Sequence, residues 1–117
     1  MRARYCAFVK GEHAFLWRTL HRDHEDRAGS ERVFRERLIA HSKRARYRSL
    51  EVLDREGPDE TGIWRVLFRV RASFAGKDAS FVELSSFAAD EAELKYICGT
   101  TRPARGAQMT SIHEFES

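Results

Sequence analysis

From Ile63 to Phe74 the chain alternates without a break. Trp64, Val66, Phe68, Val70, Ala72 and Phe74 fall on one side, and Arg65, Arg69, Arg71 and Ser73 on the other. Side chains of a strand point in turn to its two faces, so this period of two predicts a β-strand with one apolar face that something else must cover. At about 3.3 Å per residue so long a run is unusual for a flat strand, and a bend or bulge is expected in it.

Its neighbours read as partners in one sheet. Ala75-Gly76-Lys77-Asp78 is a turn, and Ser80 to Ala89 is the next strand, with Phe81, Glu83, Ser85 and Phe87 on one side and Val82 and Leu84 on the other. Asp90 to Glu93 makes a tight connection to a last strand, Leu94 to Thr100, in which Leu94, Tyr96 and Cys98 alternate with Lys95, Ile97 and Gly99. Upstream, Tyr47 to Asp54 has the composition of a shorter strand, closed by the turn cluster Gly57 to Gly62. Connections this short force consecutive strands to run antiparallel.

The first half is helical. Tyr5, Phe8 and Val9, then Phe15, Leu16 and Leu20 beyond Gly11, recur at helical spacing and predict two short helices with a hinge between them. Residues 21 to 29 hold little to bury and read as a loop. Ser30 is the expected N-cap of a third helix running to about Arg44, with Val33, Phe34, Leu38 and Ile39 as its apolar stripe. Two or three N-terminal helices followed by a curved four-stranded antiparallel meander is an α+β order, in which the helices cover the sheet. The expected domain is residues 1–103. Residues 104–117, with Met109, Ile112 and Phe115 as their pattern, are expected to be a tail or a strand-like addition on the sheet edge.

At 117 residues the chain has room for one core. No apolar run approaches a membrane span, and the opening stretch before Lys10 is too short for a signal peptide, so a cytoplasmic protein is expected. Cys6 and Cys98 lack CxxC spacing and are expected to be buried free thiols. The basic excess lies in the helical half: Arg32 to Arg48 holds seven Lys/Arg and one acid, Glu36. Within it Arg35, Lys43, Arg44 and Arg46 are candidates for holding an anionic partner, and a solvated helix face is the competing explanation. Phosphate loops, zincin chemistry and the hydrolase elbow have no support, since GxGxxG, GxxxxGK[ST], HExxH and GxSxG are all absent.

Several segments, taken in order, resemble one family. Met1-Arg-Ala-Arg-Tyr-Cys-Ala-Phe-Val9 resembles the "MRSRYxAFV" opening of the YchJ middle domain, and Thr19-Leu-His21 is similar to its T-W-H-P step. Leu50-Glu-Val-Leu53 resembles the "GLxV" strand, Glu83-Leu-Ser-Ser-Phe87 the "ERSRF" strand, and Tyr96-Ile-Cys-Gly99 with Thr101-Arg-Pro103 the terminal "YYIDG-TRP". The resemblance implies a nuclear-transport-factor-2-like cone, a curved sheet wrapped by helices around a cavity. Leu84 and Ser86 stand where that pattern has arginines, Cys98 where it has aspartate, and Arg22 where it has proline. The Cys-rich zinc segments that flank the domain in longer members are not part of this chain, so no zinc and no cofactor are expected.

A cone of this kind implies a concave apolar pocket, the usual setting of a small-molecule site. Glu83, among Phe81, Ser85 and Phe87, is the candidate general base, with His21 and Tyr5 as assistants; a structural hydrogen-bonding role is the alternative for His21, and packing of the first helix against the sheet the alternative for Tyr5 and Arg4. An outward Glu83 paired with Arg69 or Arg71 is the alternative. Trp17, Trp64, Phe68, Phe81 and Tyr96 are the candidate pocket lining, and core packing is the alternative for each. His21, Asp23, His24, Glu25 and Asp26 lie in a polar loop without metal-ligand spacing, and no metal is expected. Three functions stay open. The chain binds a small ligand or a protein partner in or on the cone, with a homodimer through the open sheet face as one form. It works as a cofactor-free isomerase or dehydratase using Glu83, or the basic segment 32–48 binds an anionic partner, nucleic acid being the disfavoured case.

Overall fold

The computed structural model describes residues 1–104 and 109–117. Helix α1 (Arg2–Lys10) ends where Gly11 takes a left-handed φ of 71° and its N–H returns to Ala7 and Phe8 carbonyls, a stop that glycine allows without strain. Helix α2 (His13–Arg18) follows, then a 3₁₀ turn at Glu25–Ala28. Helix α3 (Glu31–Ser42) starts at Ser30, whose side chain accepts the Val33 N–H. Its stripe is narrower than its sequence suggests: Phe34 is buried, whereas Val33 and Ile39 stay largely exposed.

The sheet comprises β1 (Ala45–Glu56), β2 (Trp64–Phe74), the two-residue β3 (Lys77–Asp78), β4 (Phe81–Asp90) and β5 (Glu93–Pro103). The order is β1-β2-β4-β5, all antiparallel, with β3 as a small flap on β2. It is an open meander, and its bends sit where the register slips: twice in β1 against β2, and once between β4 and β5 beside Ser86 and Phe87. The expected bulge in β2 is therefore found in its partner β1. The slip in β5 leaves Ile97 as the extra residue, since Phe87 pairs with Tyr96 and Ser86 with Cys98. The simple alternation expected for β5 fails for that reason. Tyr96 and Gly99 share the helix-covered face, Cys98 turns to the other, Leu94 is half exposed and Lys95 is buried beside Asp90 at 3.8 Å. Both cysteines are free, as expected, but exposed rather than buried.

Phe68, Val70 and Ala72 of β2 pack under the helices with Tyr5, Tyr47 and Phe81, and a second cluster of Ala7, Leu16, Leu20 and Phe34 knits the helices together. The opposite face is closed by the chain's own end. Residues 112–116 form helix α4, whose Ile112 and Phe115 bury against Leu67, Val82 and Leu84. The tail is thus a helix on the sheet's face and not a strand on its edge. Its spacing of three residues suits a helix turn, and Asp54 of β1 accepts the Ile112 N–H at 2.8 Å. Residues 105–108, which belong to the expected tail, lie outside the described residues. Among the described residues no helix is long and apolar enough to cross a membrane.

Candidate functional site

The inner face of the sheet and α1 do not close completely. Between them lies a cavity of about 140 Å³ lined by Met1, Arg4, Tyr5, Phe8, Tyr47, Phe68, Val70, Phe81, Glu83 and Tyr96. Register explains how a carboxylate enters this apolar lining. Glu83 on β4 stands directly opposite Phe68 on β2, in phase with Phe81 and Phe87, so the strand that delivers the phenylalanines to the interior delivers the acid too. The pairing with Arg69 or Arg71 does not occur; Arg69 reaches Glu51 at 3.2 Å on the other face.

Tyr96 donates its hydroxyl proton to Glu83 Oε2 at 2.9 Å. No described side chain donates to Oε1. The guanidinium of Arg4 lies 4.9 Å from the centre of the Tyr96 ring and is 6% exposed. It is held from the helical side, donating to the Leu16 carbonyl at 3.1 Å and to the Thr19 hydroxyl. Burial pushes the Glu83 carboxyl above its ordinary value, against the opposing pull of the Tyr96 hydrogen bond and the Arg4 charge. Burial likewise raises the Tyr96 phenol, and the charge of Glu83 adds to it. The same desolvation lowers Arg4 to about 10, still a cation at neutral pH. The site sets the Glu83 carboxylate, the Tyr96 phenol bonded to it and the Arg4 cation into walls to which Tyr5 and Tyr47 also belong.

Of the residues singled out from sequence, Glu83, Tyr5, Phe68, Phe81 and Tyr96 meet at this cavity. His21 does not. It is buried with both ring nitrogens engaged: Nε2 donates to the Ala89 carbonyl at 3.1 Å and Nδ1 accepts the Asp23 N–H at 3.0 Å. Its backbone N–H also donates to the Tyr96 carbonyl at 2.8 Å, so His21 pins the loop to the β5 edge. Trp17 packs on Phe34, with Arg27 over its other side at 4.7 Å, away from the cavity. Trp64 lines an adjoining groove of about 240 Å³ with Phe15, Phe87 and Leu94. Arg35 on α3, Lys43 and Arg44 in the turn after it and Arg46 at the start of β1 are exposed, and none reaches the cavity. Among the described residues no group of three or more His, Cys, Asp or Glu gathers to hold a metal.

Sequence reasoning passed over Tyr47, which closes the rim against Tyr5 at 6.1 Å, and Gly99, which lies beside the acid. Arg4 belongs to the opening motif, and nothing in that motif gives its depth. The signal for Tyr47 was an aromatic near the start of β1, two residues after the buried Ala45 and on the same face; that for Gly99 was a glycine inside a strand.

An open antiparallel sheet wrapped on one face by N-terminal helices that roof a small cavity defines a cone of the nuclear-transport-factor-2-like class. The chain belongs to the family described as "YchJ, middle NTF2-like domain", whose pattern matches residues 1–104. It is also similar to the solution structure of a SEC-C motif containing protein from Rhodopseudomonas palustris. There the TM-score is 0.66 and the identity 24%, over 86% of this chain and 73% of that one, a likeness that speaks for the fold.

Proposed function

We propose that the cavity binds a small, uncharged, mostly apolar molecule, about the size of a monosubstituted benzene, that presents one hydrogen-bond donor to Glu83. The observation that carries this reading is a half-buried carboxylate with one oxygen fixed by Tyr96 and the other, Oε1, accepting no side-chain hydrogen bond among the described residues. A lining of aromatic rings with a few convergent polar groups is the composition of a small-molecule site rather than of a filled core. The volume of about 140 Å³ is close to the roughly 150 Å³ at which an apolar protein cavity takes up benzene.

Phenol, benzene and benzoate are suitable probes, titrated into the full chain and followed by amide chemical shifts. Phenol is expected to bind more tightly than benzene, and benzoate not to bind beside a like charge. Glu83→Gln is expected to weaken phenol about tenfold or more, the worth of a hydrogen bond to a charged group, and to leave benzene unchanged. Phenol bound no better than benzene, or indifferent to Glu83→Gln, overturns the reading.

A second reading draws on the same geometry. A carboxylate whose proton affinity is raised by burial, hydrogen-bonded to a phenol, can accept a proton from a ligand C–H or O–H, which is the general-base chemistry of a cofactor-free isomerase or dehydratase. Tyr96, not His21, would then be the partner of the base. This reading expects Glu83→Gln to abolish turnover while the melting temperature holds, and parallel loss of both counts against it.

A further inference from the structure

A glycine inside a strand loses more backbone entropy than other residues and packs nothing, so it calls for a reason. Gly99 stands in β5 opposite Ser85, and it is not among the residues with positive φ. No turn or left-handed angle explains it. The reason is space. A Cβ built on Gly99 would press on Glu83 Oε2 and Tyr96 Oη closer than any real contact, and would lie 2.9 Å from Glu83 Cδ. The slip beside Ser86 and Phe87 is what brings this bare backbone to the inner face; in unbroken alternation Gly99 would point away from the acid.

We infer that Gly99 is a positioning residue of the site: its missing side chain is the space in which the Glu83 carboxylate and the Tyr96 hydroxyl meet, and a single methyl there parts them. Gly99 also floors a polar hollow of about 410 Å³ at the β5 edge, lined by Asp23, His24, Glu25, Tyr96, Ile97 and Cys98. Tyr96 therefore has the apolar cavity on one side and this hollow on the other, and the His24 ring rests on it there, 5.4 Å between centres. The positioning role is independent of what the cavity binds; its consequence for binding rests on the function proposed above.

The test is a thermodynamic cycle on the full chain. Gly99→Ala is expected to lower the melting temperature by roughly 5 °C or more in the otherwise natural protein. In a Glu83→Ala/Tyr96→Phe background, where the crowded atoms are gone, it is expected to cost less than about 1 °C or to raise it, as alanine usually does where the backbone tolerates it. If Gly99→Ala alone does not fold, recovery of folding in the triple variant makes the same point. Equal losses in both backgrounds, or no recovery, overturn the inference. Phenol separates it from the wider reading: rescue without phenol binding by the natural protein removes the proposed function and keeps the positioning role. A Gly99→Ala protein that keeps natural stability and natural phenol affinity removes the positioning role alone.

Discussion

The two faces of the one sheet are built to opposite rules. On the outer face Leu67, Val82 and Leu84 close against Ile112 and Phe115, and Arg65 bridges the solvated carboxylates of Glu56 and Glu116 at the rim. On the inner face the apolar walls leave a hollow, and the charges, Arg4 and Glu83, are inside it. Protein interiors pack densely by default, and enclosed charge is costly unless paired and hydrogen-bonded. A void and a half-buried acid together lower stability twice over, on the face where the helices could have been filled in. The difference teaches that the outer face holds the fold while the inner face keeps the room that the proposed binding needs.

The largest effect should come from the outer face. Leu67→Ala removes a fully buried side chain from the closed layer and is expected to cost about 2–5 kcal/mol in urea unfolding, while phenol affinity stays within about twofold. Loss of phenol binding at unchanged stability would dissolve the contrast. Next comes Arg4→Met, which strips the Leu16 carbonyl and Thr19 hydroxyl of their buried donor. It is expected to cost about 1–3 kcal/mol and to move the Glu83 titration further upward, because the removed cation favoured the charged acid. A downward move would mean that Arg4 does not act on Glu83.

A raised carboxyl in the folded state makes folding bind protons, so the stability owed to Glu83 is full at low pH. It is lost as pH rises from the ordinary 4.5 through the raised value. Asp90, Glu114 and Glu116 are lowered and contribute with the opposite sign, but they are common to both proteins. Melting temperatures of the natural chain and Glu83→Gln, compared from pH 4 to 8, should therefore draw apart, the natural chain losing ground as pH rises. Parallel curves would show an acid that folding does not perturb. The smallest effect belongs to Arg65→Ala: although that guanidinium bridges Glu56 and Glu116, both acids are solvated. The loss should stay within about 1 kcal/mol and shrink further in salt.

The contrast between the faces was half visible in the sequence. The inner face of β2 could be read residue by residue from Trp64 to Phe74, and Ser30 as a cap and Gly57 to Gly62 as a connection needed nothing beyond local chemistry. Glu83 in phase with Phe81 and Phe87 already pointed inward, but Val82 and Leu84 argued the other phase equally well. Both are right because both faces are covered. What could not be read depends on partners distant in sequence. The slip in β5 that exposes Cys98 and turns Gly99 inward exists only against β4. The hold on Arg4 comes from Leu16 and Thr19 of the helical hairpin, and α4, capped locally by Ser111, is tied to the sheet by the Ile112 N–H donated to Asp54. For His21 the motif leaves the cavity mouth and a bond to a backbone carbonyl both open; its two side-chain hydrogen bonds, one of them to the Ala89 carbonyl, decide for the second.

The measurement that bears most directly on the inner face as a site is the pH titration of the Glu83 side-chain carboxyl by ¹³C NMR, assigned through Glu83→Gln and repeated with saturating phenol. The account predicts a midpoint above 4.5 that phenol draws downward, since a donated hydrogen bond favours the charged acid. A midpoint at or below 4.5 would contradict it, placing Glu83 in water and leaving the cavity as a packing flaw.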